Sequence, residues 1–140
     1  MAVSQQPGWD DLRVTRFELP PAHPSVAGIF RLLRLTDGYA DVRPDVVEVR
    51  FGWAFRAEIP RSAIVAAAPD DDPVRRYGAN RRGSLWAVVP DARGLVRLTI
   101  SPPAPGRLAG FPGRIADLRL AVGDRDGFLA ALGVPAGPTG

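Results

Sequence analysis

Cysteine is absent from the sequence, which excludes a disulfide framework and a thiolate metal site and agrees with a reducing compartment. Lysine is absent as well, so all 18 basic residues are arginine. With alanine, glycine, proline and aspartate abundant, this reads as a biased composition rather than a surface selected for positive charge. The net charge of +3 therefore argues little for nucleic acid, and the arginines are spread along the whole chain. Histidine occurs once, at position 23. No His–His metal pair can form, and a catalytic triad would depend on one residue standing among prolines. No apolar run approaches the roughly 20 residues that span a bilayer, and no charged leader precedes an apolar segment. The expectation is a soluble, cytoplasmic chain without a transmembrane segment, with peripheral membrane contact left open.

What is present is a globular composition, 46% hydrophobic and 24% charged over 140 residues. That suffices for one domain with a real core and is short for two. A single domain over 1–140 is expected, with its core in 11–133 and loose ends at 1–10 and 134–140. The chain is organised around residues 46–64. From Val47 to Ile59 every odd position is apolar, and the even positions are mostly polar or small. A period of two marks strands with one buried face. A two-residue hairpin loop would switch the buried parity, but the parity is kept through Gly52. The sequence therefore predicts two antiparallel strands joined by an odd-length turn near Gly52, in preference to one long strand bent there. Pro60 ends the run because it has no N–H for a ladder.

Residues 12–19 read as a first strand, stopped by Pro20 and Pro21. A helix is expected over 24–36, with Pro24 in its first turn and Val26, Ile29, Phe30 and Leu33 as its apolar stripe. Leu32 and Leu35 widen that stripe, so the helix should pack closely on the sheet. Residues 39–45 read as a connector, 61–68 as a short strand or a helical turn, and 69–83 as a polar surface loop. Residues 85–89 and 94–100 are strands, 101–113 an irregular loop dense in proline and glycine, and 115–122 a last strand with Ala116, Leu118, Leu120 and Val122 inward. A short helix follows. Asp124 suits its N-cap, Asp126 its first turn, Phe128, Leu129 and Leu132 its apolar face, and Gly133 with Pro135 its end. The fold class is mainly β with α (α+β). The expected form is a small antiparallel barrel or sandwich of six or seven strands with a capping helix at the C-terminal end.

Candidate chemistry is sparse. His23 reads as a loop or capping residue, and Ser25 and Ser62 as turn or cap residues. Asp70, Asp71 and Asp72 lack the glycine and distal glutamate of a calcium loop and read as a solvated acidic turn. Trp53, Phe55 and Trp86 sit in apolar alternation and read as core. Gly106, Gly110 and Gly113 near Arg107 and Arg114 lack the spacing of a phosphate loop. One concentrated basic patch remains: Arg75, Arg76, Arg81 and Arg82 around Tyr77 and Asn80, with Arg93 nearby, able to clamp a polyanion. The aspartates just upstream would partly neutralise it. No catalytic residue, cofactor site or metal site is read from the sequence.

The stretch FRAEIPRSAI, the later GLVRLTI strand, and the last strand running into DRDGFLAAL are similar to those of bacterial pleckstrin-homology-like domains of the actinobacterial type. The matching positions are Ile59-Pro60, Ser62, Ile64, Asp126, Phe128, Ala131 and Leu132. They form a packing signature, not a site signature. The resemblance covers residues 46–132, so the helix near residue 30 is extra to a minimal domain of this kind. It implies a non-catalytic binding or scaffold module contacting a protein or a second copy of itself. The phosphoinositide role of eukaryotic members is not carried over, because their lysine- and arginine-bearing loop is replaced here by that helix. Two alternatives stand beside it. One is a polyanion-binding module acting through the arginine loop, and the other a small enzyme or ligand carrier with an enclosed pocket.

Overall fold

The fold is a computed structural model, described over residues 14–35, 38–74 and 76–134. Among the described residues nine strands and two α-helices follow one another in the order β1 (Thr15–Glu18), α1 (Pro24–Leu32), β2 (Gly38–Val42), β3 (Val46–Phe51), β4 (Phe55–Pro60), β5 (Ile64–Pro69), β6 (Gly78–Arg82), β7 (Leu85–Val89), β8 (Leu95–Leu108), β9 (Phe111–Ala121) and α2 (Arg125–Leu132). The strands form one sheet in the order β1-β2-β3-β4-β8-β9-β7-β6, with β5 pairing β8 off this path. The class is α+β, mainly β, and the sheet is open.

The predicted central pair is present. Phe51 faces Phe55 across the β3–β4 ladder, so Gly52, Trp53 and Ala54 form a three-residue turn, and an odd loop preserves the buried parity as the alternation required. Gly52 takes φ +52 there, the left-handed conformation that glycine adopts most readily. Val47, Val49, Phe51, Phe55, Ala57 and Ile59 are buried. Trp53 is the exception, 56% exposed at the tip of the turn. Its parity is right, but at a hairpin tip no neighbouring strand remains to cover an inward-pointing ring.

Four further expectations are corrected. Of residues 39–45 only Arg43–Asp45 connect, with the bend at Pro44 and Asp45, because Gly38–Val42 pairs on one side with β1 and on the other with β3. The polar stretch 69–83 contains strand β6, paired along its length with β7. The proline-rich stretch 101–113 lies mostly in β8 and β9. Its Pro102 and Pro103 fall in the register shift between Thr99 and Ala104, where the ladder asks no N–H of them. The sheet is mixed rather than antiparallel, because β7 runs parallel to β9, and among the described residues it has nine strands rather than six or seven. Residues 61–68 resolve into both alternatives, a 3-10 turn at Arg61–Ala63 followed by strand β5.

The β8–β9 hairpin is shared by two halves of the sheet. Its tip half pairs with β4, and its base half carries β5 on one side and β7 on the other. The halves meet face to face where Phe55 packs edge-on against Trp86, ring centroids 6.2 Å apart. Ile115, Leu118, Leu120 and Val122 fill the same interior, while Ala116 is only half-buried. Helix α2 closes one end over β2 and β5. Asp124 caps it by accepting from the Gly127 N–H at 3.0 Å, and Gly133 ends it at φ +64. Phe128 is fully buried against Phe17, 5.4 Å between centroids. Val134, expected to be loose, packs partly buried on this core. Residues 1–13 and 135–140, which hold the start of the predicted first strand and Pro135, lie outside the described residues.

Arg61 pins α2 from outside. Its guanidinium donates to the carbonyls of Ala131 and Leu132 at 2.9 and 3.1 Å and to that of Arg43 at 3.1 Å. A cation at a helix C-terminus satisfies carbonyls that have no partner in the helix. Arg61→Met keeps the stem and removes those donors. It is expected to cost about 2 kcal/mol in urea unfolding, with faster amide exchange in α2 than in β8. Unchanged exchange in α2 would reject this role.

Candidate functional site

The five arginines singled out from the sequence do not come together as one cluster. Arg75 lies outside the described residues. Arg76, Arg81 and Arg82 line a groove of about 600 Å³ over the outer side of β6 and β7. Arg93 is not part of its wall; its Nε lies 2.9 Å from Asp91 Oδ2. Within the groove the arginines differ in freedom. Arg81 stands directly opposite Trp86 across the ladder. Its guanidinium lies 4.9 Å over that ring and its Nε donates to the Gly83 carbonyl at 3.1 Å, so much of it serves to cover the indole. Arg76 and Arg82 are exposed.

Arg119, which the linear sequence did not mark, also lines this groove. Strand β9 carries it beneath the 70–74 segment, where it donates to the carbonyls of Asp72 and Pro73 and lies 3.1 Å from Asp70 Oδ2. Asp70 is therefore not part of a solvated acidic turn. It is buried between Arg119 and Arg97, and accepts from the Asp72 N–H at 3.0 Å. Asp71 and Asp72 remain exposed. A buried carboxylate requires such partners. The arrangement holds the segment to the sheet, and only register could have announced it, since 49 positions separate Asp70 and Arg119.

The other sequence-marked residues take structural places. His23 is the N-cap of α1, its Nδ1 accepting from the Ser25 N–H at 3.1 Å. Its ring stacks on Tyr77 at 4.6 Å, and the backbone N–H of His23 donates to the Pro90 carbonyl at 2.8 Å. A second groove, about 490 Å³, runs between α1 and the β1–β2 ladder. Arg16 there gives Nε and Nη2 to the buried Asp41 at 2.8 and 2.9 Å and lies 4.0 Å over Tyr39. The hydrogen bond to Asp41 holds its guanidinium protonated well above the ordinary arginine range.

Helix α1 is where the structure departs most from the expected packing. Phe30 turns inward against Phe51, 5.9 Å between centroids, and over Gly78 of β6. The helix thus bridges from β3 to β6, two strands far apart in the sheet order. Leu35 is buried, but Leu32 is 80% exposed and Ile29 56%. One narrow contact line, Val26 and Phe30, suffices to seat a nine-residue helix, so the rest of its apolar stripe points away. Positions 29, 32 and 33 share one helix face. Trp53 extends that face, because its Nε1 donates to the Leu33 carbonyl at 2.7 Å. The result is a contiguous apolar surface of Ile29, Leu32, Leu33 and Trp53, bordered by the exposed Arg31 and Arg34.

No protein-family model, curated protein or solved structure matches this chain.

Proposed function

We propose that this chain is a non-catalytic binding domain whose partner is a protein, taken up on the outer face of α1. The observation that carries the reading is the apolar surface of Ile29, Leu32, Leu33 and Trp53, since three aliphatic side chains and an indole side by side in water mark a contact surface. The charge around it selects the partner. The helix sequence PSVAGIFRL holds no acidic residue, and Arg31 and Arg34 form the border. A second copy placed on the same face about a two-fold axis would set these cations against one another. An acidic segment with apolar anchors complements them. The resemblance to pleckstrin-homology-like domains is kept within this proposal. It is supported by the strand ending in Ile59-Pro60 and the closing helix that buries Phe128 and Leu132, while the parallel β7–β9 ladder departs from that pattern.

The test is a selection of random 16-residue peptides displayed against the protein and against its Leu32→Glu variant. Because position 32 is exposed, the substitution leaves stability within about 0.5 kcal/mol. Peptides rich in Asp and Glu beside large apolar residues are expected to bind the parent at least about tenfold better than the variant. Three results would overturn the reading. They are peptides that bind both proteins equally, a dimer in light scattering that Leu32→Glu dissolves, and vesicle binding that Leu32→Glu abolishes.

A further inference from the structure

On the outer face of the sheet, strand register builds a row of cations that no sequence motif announces. Arg50 of β3 stands directly opposite Arg56 of β4, and Arg56 directly opposite Arg107 of β8. All three side chains are exposed. Residues opposite one another on one sheet face have Cβ atoms about 5 Å apart, and like charges in those places repel. Arg114 of β9 stands opposite Pro105, two residues along from Arg107. Arg56, Arg107 and Arg114 border a shallow groove of about 550 Å³ with Pro105, Pro112 and Glu58.

The neighbouring row has the opposite charge. Asp41 faces Glu48, and Glu48 faces Glu58. Two of its three acids are neutralised from its own flank, Asp41 by Arg16 and Glu48 by Arg43 at 3.2 Å. Among the described residues no ion pair involves Arg50, Arg56, Arg107 or Arg114. Arg107 gives one N–H to the Gly110 carbonyl at 3.1 Å, leaving the rest of its fork free. The charges are thus segregated like with like, and the basic stripe keeps its repulsion uncompensated.

We infer that this stripe is a binding site for an anion carrying several phosphate groups in line, laid across β3, β4 and β8. Guanidinium forks pair with phosphate oxygens in a bidentate manner, and three of them at strand spacing span about 10 Å. Glu58, the acid of that row with no ion pair among the described residues, repels an anion at one border and so orients it across the strands. Among the described residues the row has no free aromatic platform on its own face: Tyr39 beside Arg50 is covered by Arg16, and the exposed Phe111 stands opposite Leu108, one residue out of the register that faces Arg107. Stacked bases are therefore not what it reads, which argues against single-stranded nucleic acid. The recognised chemistry is the phosphate chain, whether free or carried on a nucleoside.

The experiment uses the full chain with inorganic tripolyphosphate, followed by calorimetry and thermal melting. Tripolyphosphate is expected to bind, to raise Tm by mass action, and to weaken about tenfold for each of Arg56→Gln and Arg107→Gln. Without ligand, both variants are expected to melt above the parent, because repulsion is relieved. Arg76→Gln and Arg82→Gln, in the other groove, leave binding unchanged. A nucleoside triphosphate that binds as well as tripolyphosphate supports recognition of the chain, and a requirement for the nucleoside overturns it. The inference also fails if tripolyphosphate does not bind, if the loop variants lose binding instead, or if a 12-nucleotide single strand is preferred. Unliganded Arg56→Gln and Arg107→Gln melting below the parent would mean that the row is structural, and would likewise reject it.

Discussion

Gly94→Ala is expected to destabilise the protein by about 3 kcal/mol and to lower Tm by about 10 °C. The cause lies in the topology. Strands β7 and β8 flank β9 on its two sides, so the connection between them must cross the end of β9 within a few residues. Gly94 makes that crossing in contact with the β9 backbone. A Cβ at this position would stand 1.8 Å from the Val122 carbonyl oxygen, and the residue takes φ +67. The Gly94 carbonyl also accepts from the Val122 N–H at 2.9 Å. Backbone cannot rotate aside as a side chain can, so relief of the overlap breaks that bond. Gly83 supplies the control, with φ +63 and nothing within 4 Å of its Cβ position. Gly83→Ala isolates the conformational penalty, about 1 kcal/mol. Equal losses in the two variants would show that the crossing is not tight.

Trp86→Ala is expected to cost about 3–5 kcal/mol in denaturant unfolding. The indole is the largest fully buried side chain and the place where the two halves of the folded sheet touch. Phe55 meets it edge-on, Arg81 covers it from the solvent side, and Gly113 of β9 lies so close that a Cβ there would stand 2.6 Å from the ring. Removing the ring leaves a cavity that neither half can collapse into without shifting its ladder. Trp86→Phe should cost far less, about 1–2 kcal/mol. It loses part of the ring but also removes an indole N–H that is buried without a hydrogen-bond partner. If the two substitutions cost the same, the contact between the halves is not what Trp86 supplies.

The two tryptophans of the alternating segments show how far pattern reading reaches. Trp53 and Trp86 both sit at apolar parity, and parity correctly states which side of the strand each faces. It does not state whether anything lies on that side. Trp86 is in the middle of the folded sheet and is 1% exposed, whereas Trp53 is at a turn tip and is 56% exposed. The same limit applies to α1. Helical spacing identified an apolar stripe, but of its residues only Val26, Phe30 and Leu35 turn to the interior, while Ile29, Leu32 and Leu33 are exposed. For the arginines the limit is sharper. A search along the chain finds runs, and so it found 75–82. The row of Arg50, Arg56 and Arg107 is built from positions up to 57 residues apart, and it exists only because β4 pairs with β3 on one side and β8 on the other.

By itself the sequence determined the features whose energetics are local. These include the odd turn at Gly52, the helix entrance at His23 and Pro24, the Asp124 cap with its Gly133 stop, and the alternation that makes 47–51 and 55–59 strands. Each depends on hydrogen bonds and dihedral preferences within a few residues. The tertiary structure alone decided the parallel β7–β9 ladder, the outward face of α1, the burial of Asp70 under Arg119, and the arginine row. Those depend on which distant strand pairs with which and in what register. Every register with the same parity buries the same side chains, so alternation cannot distinguish among them; long-range packing, around Trp86 and across the end of β9, makes the choice.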